Sequence, residues 1–284
     1  MSSWQTDYRT PFDLSTRKNV QAGDVLIITT APNPSERINE QARKLAAELS
    51  AKVIPRRNLS IQKLIEMSDN HRTIIVTEKE VRFYDNANEP PLYFHPSMAY
   101  VRVKRLRRGE TDPLIELSGC CEGDHVIDCT AGMAADSLIF SYAVGESGRV
   151  DALESEPILS ALVREGLANY QTSIPDVDAA MRRINLLCRN HAGYLEGLPD
   201  NSADIVYFDP MFRQPILESS AISAFRTIAN MDALSAEVVE HAKRVARKTV
   251  IIKENQRSGE FERLGFKRTH VNTSKIAYGV IHVG

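Results

Sequence analysis

The sequence predicts an α/β fold: a mostly parallel sheet with helices on both faces and an antiparallel C-terminal hairpin, preceded by a small α/β domain. Three observations carry this expectation. From residue 126 to residue 253, short apolar runs alternate with helical patterns, as in strands joined by crossover helices. One run, Val126-Ile127-Asp128, passes through the small residues Cys129-Thr130-Ala131-Gly132 into the helical pattern Ser137-Leu138-Ile139-Phe140. The chain ends in two further strand patterns, Phe266 to Asn272 and Ile276 to Val283, which pair as a hairpin.

Composition sets outer bounds. The chain has 284 residues, 43% apolar and 25% charged, so it can bury a large core without a disulfide or metal staple. A net charge of −2 argues against a generic polyanion binder and leaves any nucleic-acid contact to local patches. The four cysteines (Cys120, Cys121, Cys129, Cys188) form no Cys-x-x-Cys pair, which argues against zinc; no metal is expected. They read as reduced thiols of a cytoplasmic protein. The first ten residues lack the apolar core of a signal peptide, and no stretch approaches a membrane span.

In chain order, residues 1–22 are polar and irregular and read as a loose arm. Val25 to Thr30 is a buried strand, and Pro32-Asn33-Pro34 breaks it. Ser35 caps a helix to about Leu49 that places Ile38, Ala42, Leu45 and Leu49 on one face. Lys52 to Ile54 and Thr73 to Thr77 are strands, with a short helix from Ile61 to Met67 between them and Ser60 as its cap. Glu80 to Tyr84 alternates like a hairpin partner. Residues 1–90 therefore form the small domain, and the turn Asp85 to Pro91 separates it from residues 91–284. Beyond it Tyr100 to Gly109 is the densest basic run; Arg102, Lys104, Arg105, Arg107 and Arg108 cannot share one helix face. This is either a solvated linker or a phosphate-contacting segment.

Asp112 to Leu117 then reads as a helix. It leads through Gly123-Asp124 to strand 126–129, helix 134–143, strand 149–153 and helix 157–169, with Pro157 in the first helical turn. Strands follow at Ile184 to Cys188, Asp204 to Phe208 and Thr249 to Lys253, and helices at Ala221 to Ala229 and Ala233 to Val245.

Chemistry gathers at the strand ends. Strand-end residues of an open parallel sheet line one crevice, and small residues before a helix let a ligand lie against the backbone. Glu154 ends its strand 22 residues past Gly132, where a nucleotide-binding fold places its ribose-binding acid. Asn190-His191 and Asp209-Pro210-Met211-Phe212 end two more strands. The glycine turn lacks Gly-x-Gly-x-x-Gly and Gly-Lys-Ser/Thr, which weakens a dinucleotide reading and excludes a P-loop. Each residue has a plainer role as well. Asp128 is placed to cap the next helix, Glu154 to sit solvated at its strand end, and Asn190, His191 and Asp209-Pro210 to serve as turn residues. Their joint arrangement is the signal.

That arrangement resembles the class I S-adenosylmethionine-dependent methyltransferases, and the resemblance implies their Rossmann-like sheet. It implies S-adenosylmethionine (SAM) held by Asp128, Thr130, Ala131, Gly132, Asp136, Glu154, Ser155, Asn190 or His191, and Asp209. Glu154 would take the ribose hydroxyls, and Asn190 or His191 the adenine. Asp209-Pro210-Met211-Phe212 resembles the Asp/Asn-Pro-Pro-aromatic motif of enzymes that methylate exocyclic amines. There Asp209, Pro210 and Phe212 would be catalytic: the acid accepts amine hydrogens and the aromatic stacks on the base.

More narrowly, Asp128-Cys129-Thr130-Ala131-Gly132, Glu154 with Pro157, and Asp209 to Phe212 look like the bacterial small-subunit rRNA guanine-N2 methyltransferase J family, over about Gly123 to Lys253. This resemblance implies small-subunit ribosomal RNA as partner. The chain departs from that family's pattern at Ala134-Ala135, Ser155 and Arg213, and it lacks the lysine-rich stretch that follows. A nucleotide-dependent oxidoreductase is the competing enzyme class; the missing glycines and the Asp-Pro-Met-Phe stretch stand against it. A methyltransferase-like RNA-binding or assembly factor, and an enzyme that methylates a small molecule, are the other readings.

Overall fold

A computed structural model describes residues 26–69, 71–210, 233–269 and 275–284. The N-terminal arm, Phe212, Arg213, the 221–229 helix and the far end of the 266–272 strand lie outside the described residues. The strands form two sheets.

The first sheet has five strands, β1 (Ile27–Thr30), β2 (Lys52–Val53), β3 (Thr73–Val76), β4 (Val81–Tyr84) and β5 (Leu92–Tyr93), in the order β2-β1-β3-β4-β5. β1, β2 and β3 run parallel, and β4 and β5 continue as antiparallel hairpins. Helix α1 (Glu36–Glu48) starts at Ser35, whose hydroxyl accepts from the Ile38 amide, and α2 (Ile61–Glu66) starts in the same way at Ser60. The sheet closes at Tyr93, just beyond the turn that marks the boundary in the sequence.

The second sheet orders seven strands as β11-β12-β10-β9-β6-β7-β8. They are β6 (His125–Asp128), β7 (Arg149–Glu154), β8 (Ile184–Cys188), β9 (Ala203–Phe208), β10 (Ala246–Asn255), β11 (Lys267–Thr269) and β12 (Ile276–His282). β6 to β10 are parallel; β12 runs antiparallel to β10, and β11 to β12. Because β6 is central and the order reverses beside it, the ends of β6, β7, β9 and β10 share one crevice. Register sets the levels: Asp128 pairs with Tyr207, and Ile252 with Phe208, so Asp209 and Lys253 come level on adjacent strands.

The helices follow from local chemistry. α5 (Ala135–Val144) buries nearly all its face beneath the sheet, and α6 (Pro157–Asn169) opens on Pro157. α4 (Pro113–Ser118) is capped by Asp112. The basic run forms a helix, α3 (Ser97–Leu106), rather than a linker. α7 (Pro175–Arg183) and α8 (His191–Glu196) are short helices that the strand patterns did not announce, and α9 (Ala236–Val245) starts at a Ser235 cap.

The two sheets share one core. Leu26, Ile28, Phe83 and Phe94 belong to the same apolar cluster as Val126, Leu138, Leu162 and Val163. Gly166 of α6 lies so close to Phe94 that a Cβ there would collide with its ring. Across the junction Arg164 forks onto Glu48 at 2.6 and 2.8 Å, and Gln41 donates to Glu165 at 2.6 Å.

Candidate active site

The turn from β6 to α5 is built from backbone bonds. Asp128 is 1% exposed; its Oδ1 accepts from the Thr130 amide at 3.0 Å and its Oδ2 from the Ser137 hydroxyl. Its carboxylate therefore folds the turn and ties it to α5. Burial pushes this carboxyl up to about 7, although both donors pull the other way. Cys129 and Ala131 keep the strand pairing alive by donating to the Tyr207 and Leu153 carbonyls. Gly132 (φ 50°) and Ala134 (φ 56°) then adopt left-handed conformations that throw the chain into α5. Among the described residues no side chain caps α5, so its first amides stay available.

Glu154 ends β7, buried, beside that turn. Oε2 accepts from the Gly132 amide at 3.1 Å and Oε1 from the Glu156 amide at 2.9 Å. The Ser155 amide also faces this carboxylate, and burial raises it to about 7. Among the described residues no cation pairs with it. A buried acceptor without a cation, a left-handed glycine turn and an uncapped helix start suit the ribose hydroxyls and methionine part of SAM, so these residues fit that cofactor. Asn190 caps α8, its Oδ1 accepting from the Ala192 amide, and it is exposed. His191 instead lies in the crevice: its ring stands edge-on to Phe208 at 5.9 Å and bonds the Cys129 backbone, and burial lowers its pKa.

The β9 end is built from charges. Asp209 takes the Lys253 ammonium on Oδ2 at 2.6 Å, and the same ammonium reaches Asp136 Oδ2 at 2.8 Å. Tyr207, fully buried with its ring edge-on to Phe140, donates its hydroxyl to Asp136 at 2.7 Å. Arg102 of α3 forks onto Asp112 at 2.7 and 2.8 Å and also bonds Asp136. Burial would raise Asp136, but Lys253 and Arg102 outweigh it and hold this carboxyl well below the usual range. Burial, with Asp136 nearby, raises Asp209 against the pull of Lys253. The Lys253 ammonium is held charged by the two acids despite its burial.

A side-chain bond also joins the two ends. The Asp209 amide donates to Thr130 Oγ1 at 2.5 Å, so the cofactor turn and the Asp209-Pro210 step are fastened together.

The structure thus places Asp128, Thr130, Ala131, Gly132, Glu154, Ser155, His191, Asp209 and Pro210 around one crevice. Asp136 borders it with its carboxylate committed to Lys253, Arg102 and Tyr207. A helix disperses the cations of the basic run: Arg102 points inward to Asp112 and Asp136, because two buried acids outbid solvent for its guanidinium. Arg105 pairs with Glu110 and Arg107 with Asp176, while Lys104 lies over the Tyr100 ring. Lys253 and Tyr207 were missed as site residues. A lysine at the end of the apolar stretch Thr249 to Ile252 is the signal that could have found the first.

Residues 59–275 match the family described as "Putative SAM-dependent methyltransferase". The uncharacterised protein YpiP of Bacillus subtilis is 37% identical over 255 residues, covering 90% of this chain and 98% of YpiP. Ribosomal RNA small subunit methyltransferase J of Thioalkalivibrio sulfidiphilus is 30% identical over 158 residues, covering 52% of this chain and 59% of that protein. The chain thus spans nearly all of YpiP but little more than half of that second relative. Among solved structures, a SAM-dependent methyltransferase from Neisseria gonorrhoeae superposes with a TM-score of 0.59 at 17% identity, over 90% of this chain and 96% of that one.

Proposed function

The chain belongs to this family of SAM-dependent methyltransferases, with its Rossmann-like class I fold and SAM as cofactor, and on that premise we propose that it methylates the exocyclic N2 amine of a guanine in small-subunit ribosomal RNA, in the cytoplasm. The observation that carries this reading is the bond from the Asp209 amide to Thr130, which sets an acid for the target amine beside the turn for the methyl donor. The relatives named ribosomal RNA small subunit methyltransferase J support the choice of RNA.

An exocyclic amine is a poor nucleophile, because its lone pair is delocalised into the base. Asp209 and a neighbouring carbonyl accept its two hydrogens, hold the nitrogen and return electron density to it. When bound, SAM, held by Glu154 and the Gly132 turn, would supply the methyl group on its sulfonium sulfur as the electrophile for this amine. The surplus proton on nitrogen leaves through Asp209 to solvent. Pro210 stiffens the turn, Glu154 holds the ribose, and His191 flanks the adenine. Phe212, outside the described residues, is assigned base stacking on sequence grounds. In the same proposal residues 1–90 are the small unit and residues 91–284 the transferase unit, with β5 of the latter adding a strand to the former's sheet.

Incubation of the full chain with methyl-labelled SAM and small-subunit RNA or particles, followed by nucleoside mass spectrometry, tests the reading. Label on the base of guanosine is expected. Cofactor binding without label on any RNA nucleoside would overturn it.

A further inference from the structure

We infer that Lys253 is a positioning residue for methyl transfer: it clamps the Asp209 carboxylate by one oxygen, while Asp136 and Arg102 hold the clamp in place. The inference rests on the reading of Asp209 as the group that meets the amine. Lys253 sits level with Asp209 on the adjacent strand, and its ammonium lies between two acids at 2.6 and 2.8 Å. It occupies Oδ2 of Asp209; among the described residues Oδ1 has no hydrogen-bond donor, so Oδ1 is the oxygen offered to the amine. Asp136 is held in place from both oxygens, because Tyr207 bonds its Oδ2 and Arg102 its Oδ1, and Arg102 is itself forked onto Asp112.

Three acids (Asp112, Asp136, Asp209) meet two bases (Arg102, Lys253) here, which leaves an excess of one negative charge. Lys253 is the cation that touches both Asp136 and Asp209. Without it the two carboxylates would face each other in a buried site, and like charges so placed hold a proton between them. The charged and titratable groups facing Asp209 are Lys253 from β10, Asp136 from α5, Arg102 from α3, Asp128 from β6 and Tyr207 from β9, with Tyr278 of β12 facing Lys253 and Asp136. Of these, Lys253 is the group in salt-bridge contact with Asp209. A proton on Asp209 would remove an acceptor from the amine, so the clamp maintains the working form.

The sign of the pH effect separates positioning from plain structural support. The working form of Asp209 is the carboxylate. Lys253→Met removes the cation and keeps the apolar stem, so the pH at which transfer is half-maximal should move up by about one unit or more. The loss should therefore be greatest near pH 6, about tenfold or more, and shrink towards pH 9. Asp136→Asn removes the like charge and leaves Lys253 wholly to Asp209, so its midpoint should move down. Lys253→Arg should keep the wild-type midpoint. In an Asp209→Asn background, which cannot titrate, Lys253→Met should shift nothing.

The experiment is single-turnover transfer to small-subunit RNA by the full chain across that pH range, with calorimetric binding of S-adenosylhomocysteine as a second readout. Binding by Lys253→Met within about twofold of wild type is expected, because Lys253 stands on the acceptor side. Shifts of opposite sign in Lys253→Met and Asp136→Asn are the supporting result. Should Lys253→Met fail to fold, the downward shift in Asp136→Asn decides alone. Slower transfer with an unmoved midpoint in both variants overturns the inference. Wild-type turnover in Asp209→Ala would instead bring down the reading of Asp209, a distinguishable failure.

Discussion

At the β6–β7 end of the crevice Asp128 and Glu154 are held by backbone amides and one hydroxyl; at the β9–β10 end Asp136 and Asp209 are held by Lys253, Arg102 and Tyr207. All four carboxyls meet burial, and the partner decides what burial does. Without a cation, Asp128 and Glu154 rise to about 7. With two cations, Asp136 stays ionised far below that. The lesson is a division of labour: neutral donors leave the cofactor end responsive to pH near neutrality, while at the transfer end side chains from three separate elements hold Asp136 ionised and Asp209, with Lys253 alone, is still raised by burial.

The largest effect expected is at Asp209. Asp209→Ala should leave the fold and cofactor affinity in place and slow transfer by about 100- to 10,000-fold. Asp209→Asn should be milder, since its amide oxygen still accepts. Single-turnover assays beside melting curves check this. A folded Asp209→Ala enzyme with wild-type turnover would break the comparison, because the charged end would then be structural only.

Next comes stability, where the two ends should differ. Arg102→Met strips the guanidinium from two buried acids and should cost about 3–5 kcal/mol. Ser137→Ala removes one hydroxyl from Asp128 and should cost about 1–3 kcal/mol. Equal losses in chemical denaturation would contradict the distinction between charge-held and neutrally held carboxylates.

A smaller effect sharpens the contrast in pH. Glu154 has a folded-state value of about 7, above the ordinary range. Its folded state keeps the proton longer than the unfolded chain does, so this group's contribution to stability falls as pH rises from the ordinary carboxyl range through about 7. Ribose hydroxyls prefer the ionised form as acceptor, so cofactor affinity should rise through the same interval and level off above it. Glu154→Gln should flatten that dependence and weaken binding about tenfold at the high end. Calorimetry at several pH values reads both.

The smallest effect is on the exposed cations of α3 and of the turn that follows it. Lys104 and Arg108 are exposed, so converting both to Glu should weaken RNA binding modestly across sequences and flatten its salt dependence. Cofactor affinity should not change. An unchanged salt slope would remove α3 from the RNA interface.

The contrast also marks where sequence reasoning succeeds. Asp128 bonds an amide two residues on, and Glu154 does the same, so strand-end acids in small-residue turns are readable locally. Helix 157–169 was legible to the residue because Pro157 opens it, and Ser35 and Ser60 cap as their positions suggest. The charged end hid because its bonds span 34, 44 and 117 residues. No local pattern says that Arg102, one of five cations in a run, turns inward. α7 escaped for another reason: its buried face is only Val177, Ala180 and Met181 in a polar segment, although Pro175 and its first-turn acids mark the start.

The most direct test of the central claim is nucleoside mass spectrometry of small-subunit ribosomal RNA from a strain lacking this gene, complemented with wild type or with Asp209→Ala. Loss of a base-methylated guanosine, restored by wild type and not by Asp209→Ala, is the predicted result. Identical nucleoside profiles in all strains would contradict it.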